Sequence, residues 1–389
     1  MLAPSIPDTL TNWLARSFPE FPFVYWGQSG STMLFDALTQ AGRKTLVLPA
    51  FICPSVAAMG KAVGLKLVFI DADPATLQMD RTQLENCLAD SPEAETVLLV
   101  DHTFGYPFPA LNQIRRGYPR LLIIEDCVRA LGSTVDGRPV GHTGDWVLLS
   151  LYKTVRGNNH GAVLLTRTPY SIRSGPPPRI SWKQWAAGLS PARLLYDLFV
   201  KPRYPDFRDT PRPLQARSWN PQPGSPNSLC LQRFQHDIAQ CERSLHARRT
   251  AEAELRTALD AVPGMRVVRP AAGCETNGIF LSFTIAADGK RNRLLDLLHR
   301  RRLFLLRTWD AVPAFYSCYS AAFPFGNSGS VFLADHVVHA PMAGFMKERQ
   351  RRLLVQILTE HLASNHFTSL DSKQMLPSSV TGKAWEASL

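Results

Sequence analysis

The stretch IIEDCVRALGSTVDGRPVGHTGDWVLLSLYK, residues 123–153, decides how the chain is read. It opens on a short apolar run that ends in two acids, Glu125 and Asp126. A second apolar run, Val147–Leu151, follows, and a Ser-x-x-Lys spacing at its end gives Ser150 and Lys153. Apolar runs this short, bounded by turn residues, fit strands buried on both faces of a mostly parallel sheet. Ligands of such sheets sit beyond the carboxyl ends of the strands, where Asp126 falls.

The same alternation extends upstream. Helical spacing at Thr32–Ala41, Pro54–Gly64, Arg81–Asp90 and Leu111–Arg116 is interleaved with strand-like runs. Those runs are Thr45–Leu48, Lys66–Ile70, Thr96–Val100 and Leu121–Ile124, and the third leads into Asp101-His102. Ala162–Thr166 reads as one more strand. Strands alternating with helices predict an α/β fold whose mostly parallel sheet is covered by helices. Downstream, Ser228–Asp260 reads as one long amphipathic helix linking two domains. Strands at Met265–Val268, Gly278–Ile285 and Leu303–Leu306, with helices at Arg291–Arg301 and Lys347–Leu362, predict a smaller C-terminal α/β domain. The domain reading is therefore a large domain over 1–227, a linking helix over 228–262 and a small domain over 263–362. Residues 363–389 are polar, lack periodicity and read as a loose tail.

An acid at a strand end, followed by a Ser-x-x-Lys, suits pyridoxal 5'-phosphate. A carboxylate keeps the pyridine nitrogen protonated so that the ring can withdraw electrons, and a lysine holds the aldehyde as a Schiff base and shuttles the proton. Gly27-Gln28-Ser29-Gly30-Ser31-Thr32, ahead of the first sheet-covering helix, reads as a phosphate turn, because small residues and a helix N-terminus offer N–H groups to an anion. Taken singly, each feature is more often structural: Ser31 or Thr32 an ordinary helix cap, Asp126 a strand-end cap, Lys153 a surface charge. Their occurrence in this order is what carries the reading.

Composition bounds the alternatives. The chain has 389 residues, 45% of them hydrophobic, enough for a large core and two domains. No apolar run approaches the roughly 18 residues of a membrane span, and the N-terminus lacks a signal-peptide layout, so a cytoplasmic protein is expected. Seven scattered cysteines without a CxxC pair point to reduced thiols and to no metal site. Of the net charge of +11, +7 arises between Arg167 and Asn220, where ten Lys/Arg meet three Asp among nine prolines. A basic insert of that kind faces solvent, a membrane surface or an anionic substrate. No nucleic-acid-binding pattern accompanies it.

On these residues the chain resembles the DegT-type sugar aminotransferases, which are fold-type I pyridoxal-phosphate enzymes. The matching pieces are SGSTMLFDAL, LPAFICPSVAAMGKAVGLKLVFIDADPATLQMD, DHTFGYPF, residues 123–153 and HGAVLLT, with looser agreement at NGIFLSF and RTWDAVP. The resemblance implies that Asp126 pairs with the pyridine nitrogen, that Lys153 carries the Schiff base, and that Ser150 and the Ser31-Thr32 turn hold the phosphate. His102 would lie by the pocket, and Asn220 would match the position that a neighbouring subunit lends to the phosphate of a homodimer. The implied reaction moves an amino group from an amino acid, glutamate by the family's pattern, to a nucleotide-linked keto sugar for polysaccharide or amino-sugar synthesis. Two residues beside the expected cofactor depart from the pattern. Arg129 stands where the family usually has Gln, and Cys53 where an aromatic often stacks on the ring, which leaves Phe51, Phe104 or nothing in that role. The alternatives are a sugar dehydratase, in which His replaces the lysine, a desulfurase using a thiol such as Cys318, and a non-catalytic regulator that keeps the fold.

Overall fold

Fully apolar five- or six-residue runs cannot lie at a surface, and in this chain they form the centre of one sheet. The computed structural model describes residues 6–150, 161–171, 173, 224–285, 290–309, 311–342 and 346–363. The strands of the large sheet are β1 (Phe23–Gly27), β2 (Thr45–Pro49), β3 (Lys66–Ile70), β4 (Thr96–Asp101), β5 (Leu122–Asp126), β8 (Trp146–Ser150) and β9 (Ala162–Thr166). They lie in the order β1-β9-β8-β5-β4-β2-β3. The pairs β3/β2, β2/β4, β4/β5 and β5/β8 are parallel, whereas β9 runs antiparallel to both β8 and β1. Every residue of β4, β8 and β9 is buried.

Side-chain alternation along the strands sorts the core into layers. Leu46, Leu48, Leu99, Ile124, Leu148 and Leu164 pack under helices α2 (Gly30–Gln40) and α3 (Pro54–Ala62). On the opposite face, Val47, Leu98, Val100 and Ile123 meet α4 (Arg81–Ala89) and α5 (Leu111–Gly117). Also on that face, Val147, Leu149, Val163 and Leu165 are covered by α1 (Asp8–Ser17) and by α6 (Ser228–Arg243). Trp13 of α1 donates its indole N–H to Glu242 of α6 at 2.7 Å, which joins the two covering helices.

Two features escape a reading by hydrophobic runs. Strand β1 is a half-buried edge strand, FVYWG, that leads directly into the turn before α2. The segment STVDGRP forms a hairpin, β6 (Thr134–Val135) with β7 (Arg138–Pro139), through Asp136 and Gly137 at φ 49° and 74°. Positive φ at both central residues is what a two-residue hairpin turn of the twisted kind requires. The hairpin pairs with β11 (Cys274–Glu275) and so ties the large sheet's loops to the C-terminal half.

Residues 228–260 are not one helix. The chain turns at Ser244, giving α6 and α7 (Leu245–Asp260). Each half serves its own core: Cys230, Leu231, Phe234 and Ile238 pack on the large sheet, while Leu255 and Leu259 pack on the C-terminal one. The C-terminal sheet is antiparallel, β10 (Met265–Val267), β12 (Phe280–Ile285) and β13 (Val337–Pro341), with α8 (Lys290–Arg300) and α10 (Glu348–Ala363) against it. Leu303–Leu306, expected to be a strand, makes only an isolated bridge, between Leu306 and His339. VVHAP of β13 takes the place at the sheet instead. Helix α9 (Ser328–His336) precedes it.

The two halves are clasped together. Asp71, just past β3, accepts the N–H groups of Gly329 and Ser330 at 2.8 Å each and so caps α9 from the other half of the molecule. Phe51, Phe104, Tyr106, Ile279, Phe280, Val312 and Leu333 form a shared apolar cluster between the sheets.

Candidate active site

Asp126, Ser150 and the turn that opens α2 converge at the carboxyl edge of the central strands. In register, Asp126 lies opposite Asp101 of β4 and Leu148 of β8. Partners in a parallel ladder point to the same face, and Leu148 belongs to the layer under α2. Asp126, and Ser150 two residues beyond Leu148, therefore point toward α2. Strand spacing and rise put their Cα atoms about 8 Å apart. Both are buried, at 7% and 4% exposure. The Asp126 carboxylate is oriented by its own turn, accepting the Val128 N–H at 3.1 Å.

Above them lies the start of α2. Ser29, not Ser31 or Thr32, is its cap, accepting the Thr32 N–H at 3.3 Å and lying 3.0 Å from the Thr32 hydroxyl. Ser31 and Thr32 thus stand in the first turn, where the cap takes the Thr32 N–H. Gly30 faces the sheet, where a Cβ would make ordinary contact with Leu148 at 3.6 Å and Val128 at 3.9 Å. The preceding residue, Gln28, is bonded through its backbone to two returning segments. Its N–H donates to the Gly224 carbonyl at 2.7 Å, and its carbonyl accepts from Gly161 at 2.6 Å.

His102 is placed differently from the expectation of a pocket histidine. Its Nδ1 accepts the Phe108 N–H at 3.1 Å, which leaves the proton on Nε2, bonded to Glu125 at 3.0 Å. Glu125 leaves its strand on the face opposite Asp126. Its two oxygens also take the N–H groups of Gly141, Thr143 and Gly144. Neither His102 nitrogen is left for proton transfer, and the residue holds the β4 and β5 ends together. Burial raises the Glu125 carboxyl, but the His102 hydrogen bond and the backbone donors outweigh it, so the group lies below the ordinary value. Cys127 completes a compact His102–Glu125–Cys127 cluster. Burial first, then the charges of Glu125, Asp126 and Asp101, push its thiol well above normal.

Arg129 is turned toward the C-terminal half. Its guanidinium lies 4.1 Å from the centre of Phe104, 5.5 Å from Trp309 and 6.0 Å from Phe280. Phe51 meets Trp309 edge-on at 5.4 Å. Phe51 and Phe104 are thus both committed to this inter-half cluster. Cys53, half-buried at the start of α3, contacts the Ser55 hydroxyl at 3.0 Å. Lys153, Asn220 and most of the basic insert lie outside the described residues. Sequence reasoning missed Asn277, a fully buried amide that reaches from the C-terminal half to the turn after Asp126. Its only local signal was the Asn-Gly before an apolar run.

Comparison with known proteins defines the class. The backbone superposes on an aminotransferase of the DegT DnrJ EryC1 StrS type from Brucella abortus with a TM-score of 0.67, covering 91% of this chain and 89% of that one at 16% identity. It superposes on DesV from S. venezuelae with a TM-score of 0.66, covering 93% and 90% at 18% identity. The fold is that of the fold-type I, pyridoxal-phosphate-dependent transferases. Residues 26–161 match the model of the DegT/DnrJ/EryC1/StrS aminotransferase family. Within the curated relatives the similarity is local. The lipopolysaccharide biosynthesis protein RfbH of Salmonella typhimurium is 36% identical over 91 residues, 23% of this chain and 20% of that protein. The GDP-perosamine synthase of Escherichia coli O157:H7 is 30% identical over 107 residues, 27% and 29% of the two chains. The chain therefore spans under a third of the length of these two relatives.

Proposed function

We propose that the protein is a pyridoxal-phosphate-dependent aminotransferase that passes an amino group from an amino acid, glutamate in the first instance, to a nucleotide-linked keto sugar. The observation that carries this reading is the convergence of Asp126 and Ser150 on one face of the sheet beneath the first turn of α2. A buried carboxylate, a hydroxyl and the N-terminus of a helix suit a ring nitrogen and a phosphate. When bound, the cofactor supplies the electron sink for breaking the Cα–H bond of the amino donor.

The chain's own residues then have distinct tasks. Asp126, held by Val128, keeps its charge directed at a protonated ring nitrogen. Ser150 and the Ser31-Thr32 turn hold the phosphate. Lys153 follows Ser150 by three residues, so the chain length alone keeps it within about 11 Å of that site. Its amine holds the cofactor covalently at rest and, once displaced, moves the proton on and off the substrate carbon. Arginines of the basic insert suit a diphosphate-bearing acceptor. Relatives named for lipopolysaccharide biosynthesis and for GDP-perosamine synthesis support a sugar acceptor. A homodimer and a place in the cytoplasm accompany this reading; no helix among the described residues is long and apolar enough to cross a membrane.

The test is optical. The purified protein with added cofactor is expected to be yellow, and Lys153→Ala to abolish the visible band. Glutamate should bleach the band, and the correct keto sugar nucleotide should restore it. A wild-type protein that takes up no cofactor would overturn the proposal.

A further inference from the structure

Asn277 joins the two halves of the molecule at the one turn that sets the acid. It is fully buried, between β11 and β12. Its Nδ2 donates to the carbonyls of Arg129 at 2.8 Å and Leu131 at 3.2 Å, 148 and 146 residues away in sequence. Its Oδ1 accepts the Ile279 N–H at 3.1 Å, and its own carbonyl accepts from Arg248 Nε at 3.0 Å. The amide is therefore fixed at both ends.

The loops around it are shaped to admit it. Gly105, past the end of β4, has φ +88°, and a Cβ there would come within 2.7 Å of Asn277 Oδ1. Gly132, past β5, has φ +90°, and a Cβ there would meet Asn277 Cβ at 3.7 Å. Ser133 closes the arrangement by donating its hydroxyl to the Gly105 carbonyl at 2.7 Å. The turn held in this way is the one whose Val128 N–H orients the Asp126 carboxylate. A continuous path runs from the amide through the Arg129 and Leu131 carbonyls to the acid.

We propose that Asn277 is a positioning residue for Asp126: from the C-terminal half it fixes the 127–133 turn, and through that turn the direction in which the carboxylate faces. What Asp126 faces rests on the function proposed above; the fixing of the turn does not. A conformational change that moved the C-terminal half would carry the acid with it.

Two variants test this, N277A and N277D. The aspartate keeps the shape and the acceptor for Ile279 but cannot donate to the two carbonyls. Hydrogen exchange is read at the amides of Val128, Ala130 and Ser133 against those of β2 and β3, with and without pyridoxal phosphate. In both variants the turn amides should exchange about tenfold faster than in wild type, the scale of one lost hydrogen bond, while the strand amides hold their rates. Cofactor affinity should fall by a similar factor, with a shifted pH midpoint of the visible band. Unchanged turn exchange, an equal rise across the sheet, or an N277D protein indistinguishable from wild type would each overturn the fixing of the turn. Faster turn exchange with unaltered affinity and spectrum would overturn the link to Asp126. If wild type itself binds no cofactor, the proposed function fails, and the exchange data alone judge the turn.

Discussion

Arg129 and His339 lie on opposite faces of the Phe104 ring. The histidine stacks 3.6 Å from the ring centre with the planes 8° apart, and the guanidinium carbon is 4.1 Å away. Two groups this close cannot share a face, so Phe104 is sandwiched between a cation and an imidazole that must remain neutral. Burial first, then the charge of Arg129, lower the His339 pKa to about 3. The Ser282 hydroxyl meets its Nδ1 at 2.7 Å, and the Thr308 carbonyl lies at its Nε2.

This arrangement predicts acid sensitivity of known sign. Unfolded, the histidine titrates near 6.5; folded, it titrates near 3. Between those values the unfolded chain binds the extra proton, so stability falls as pH drops through the window, by roughly 3–5 kcal/mol in all. Urea denaturation from pH 7 to 4.5 should show this slope, and His339→Gln should flatten it.

Arg129→Gln restores the residue usual in the resembling family. It removes the cation from Phe104 and Trp309 and should cost about 1–2 kcal/mol in chemical denaturation. It also removes a charge that opposes protonation of His339, so the acid slope should end at a higher pH, and the total loss be smaller, than in wild type.

Glu125 acts in the lower part of that window and below it. Its folded pKa is depressed, so its contribution is complete above about 4.5, the ordinary carboxyl value, and is lost as pH falls through the folded value. Glu125→Gln leaves an amide among backbone donors that already converge on the site. It should destabilise by about 3–5 kcal/mol at pH 7, measured by urea midpoint.

Asp71→Ala should loosen the join between the halves. It uncovers the buried Gly329 and Ser330 N–H groups, at about 1–3 kcal/mol each. Gly329→Ala attacks the same contact sterically, since a Cβ there would fall 1.9 Å from the Ala72 carbonyl oxygen. Both variants should lower the melting temperature, and limited proteolysis should cut first around α9.

Native thiol titration separates the cysteines. Cys318 is exposed, whereas Cys87, Cys127 and Cys274 are buried with thiols raised by that burial. Cys318 should react promptly with an aromatic disulfide reagent, and those three only after denaturant is added.

The large sheet was legible because its strands are buried on both faces and so read as unbroken apolar runs. Lys66–Ile70 and Ala162–Thr166 match to the residue. The edge strand β1 was not, since half-burial leaves it no distinct pattern. Leu303–Leu306 is as apolar as a strand and fully or partly buried, yet it bonds a neighbour at one point only. Apolar content reports burial, not ladder formation. The bend at Ser244 was hidden because both halves of 228–260 keep helical spacing while facing different cores. At the site, the face shared by Asp126 and Ser150 followed from strand alternation. The placement of His102, Arg129 and Asn277 did not, because each is set by partners remote in sequence or on another element.

The backbone of Gln28 receives both Gly161 and Gly224, the points at which residues 151–160 and 174–223 return to the described structure. These are main-chain bonds, indifferent to side-chain identity, but the Gln28 amide lies so close to Gly224 that a Cβ there would fall 2.2 Å from its Oε1. Inheritance of the basic stretch is thereby tied to one position far upstream. A graft that exchanged 174–223 alone would keep Gln28 and Gly224 and so keep this anchor, whereas one that brought a side chain to 224 would oblige the Gln28 side chain to move.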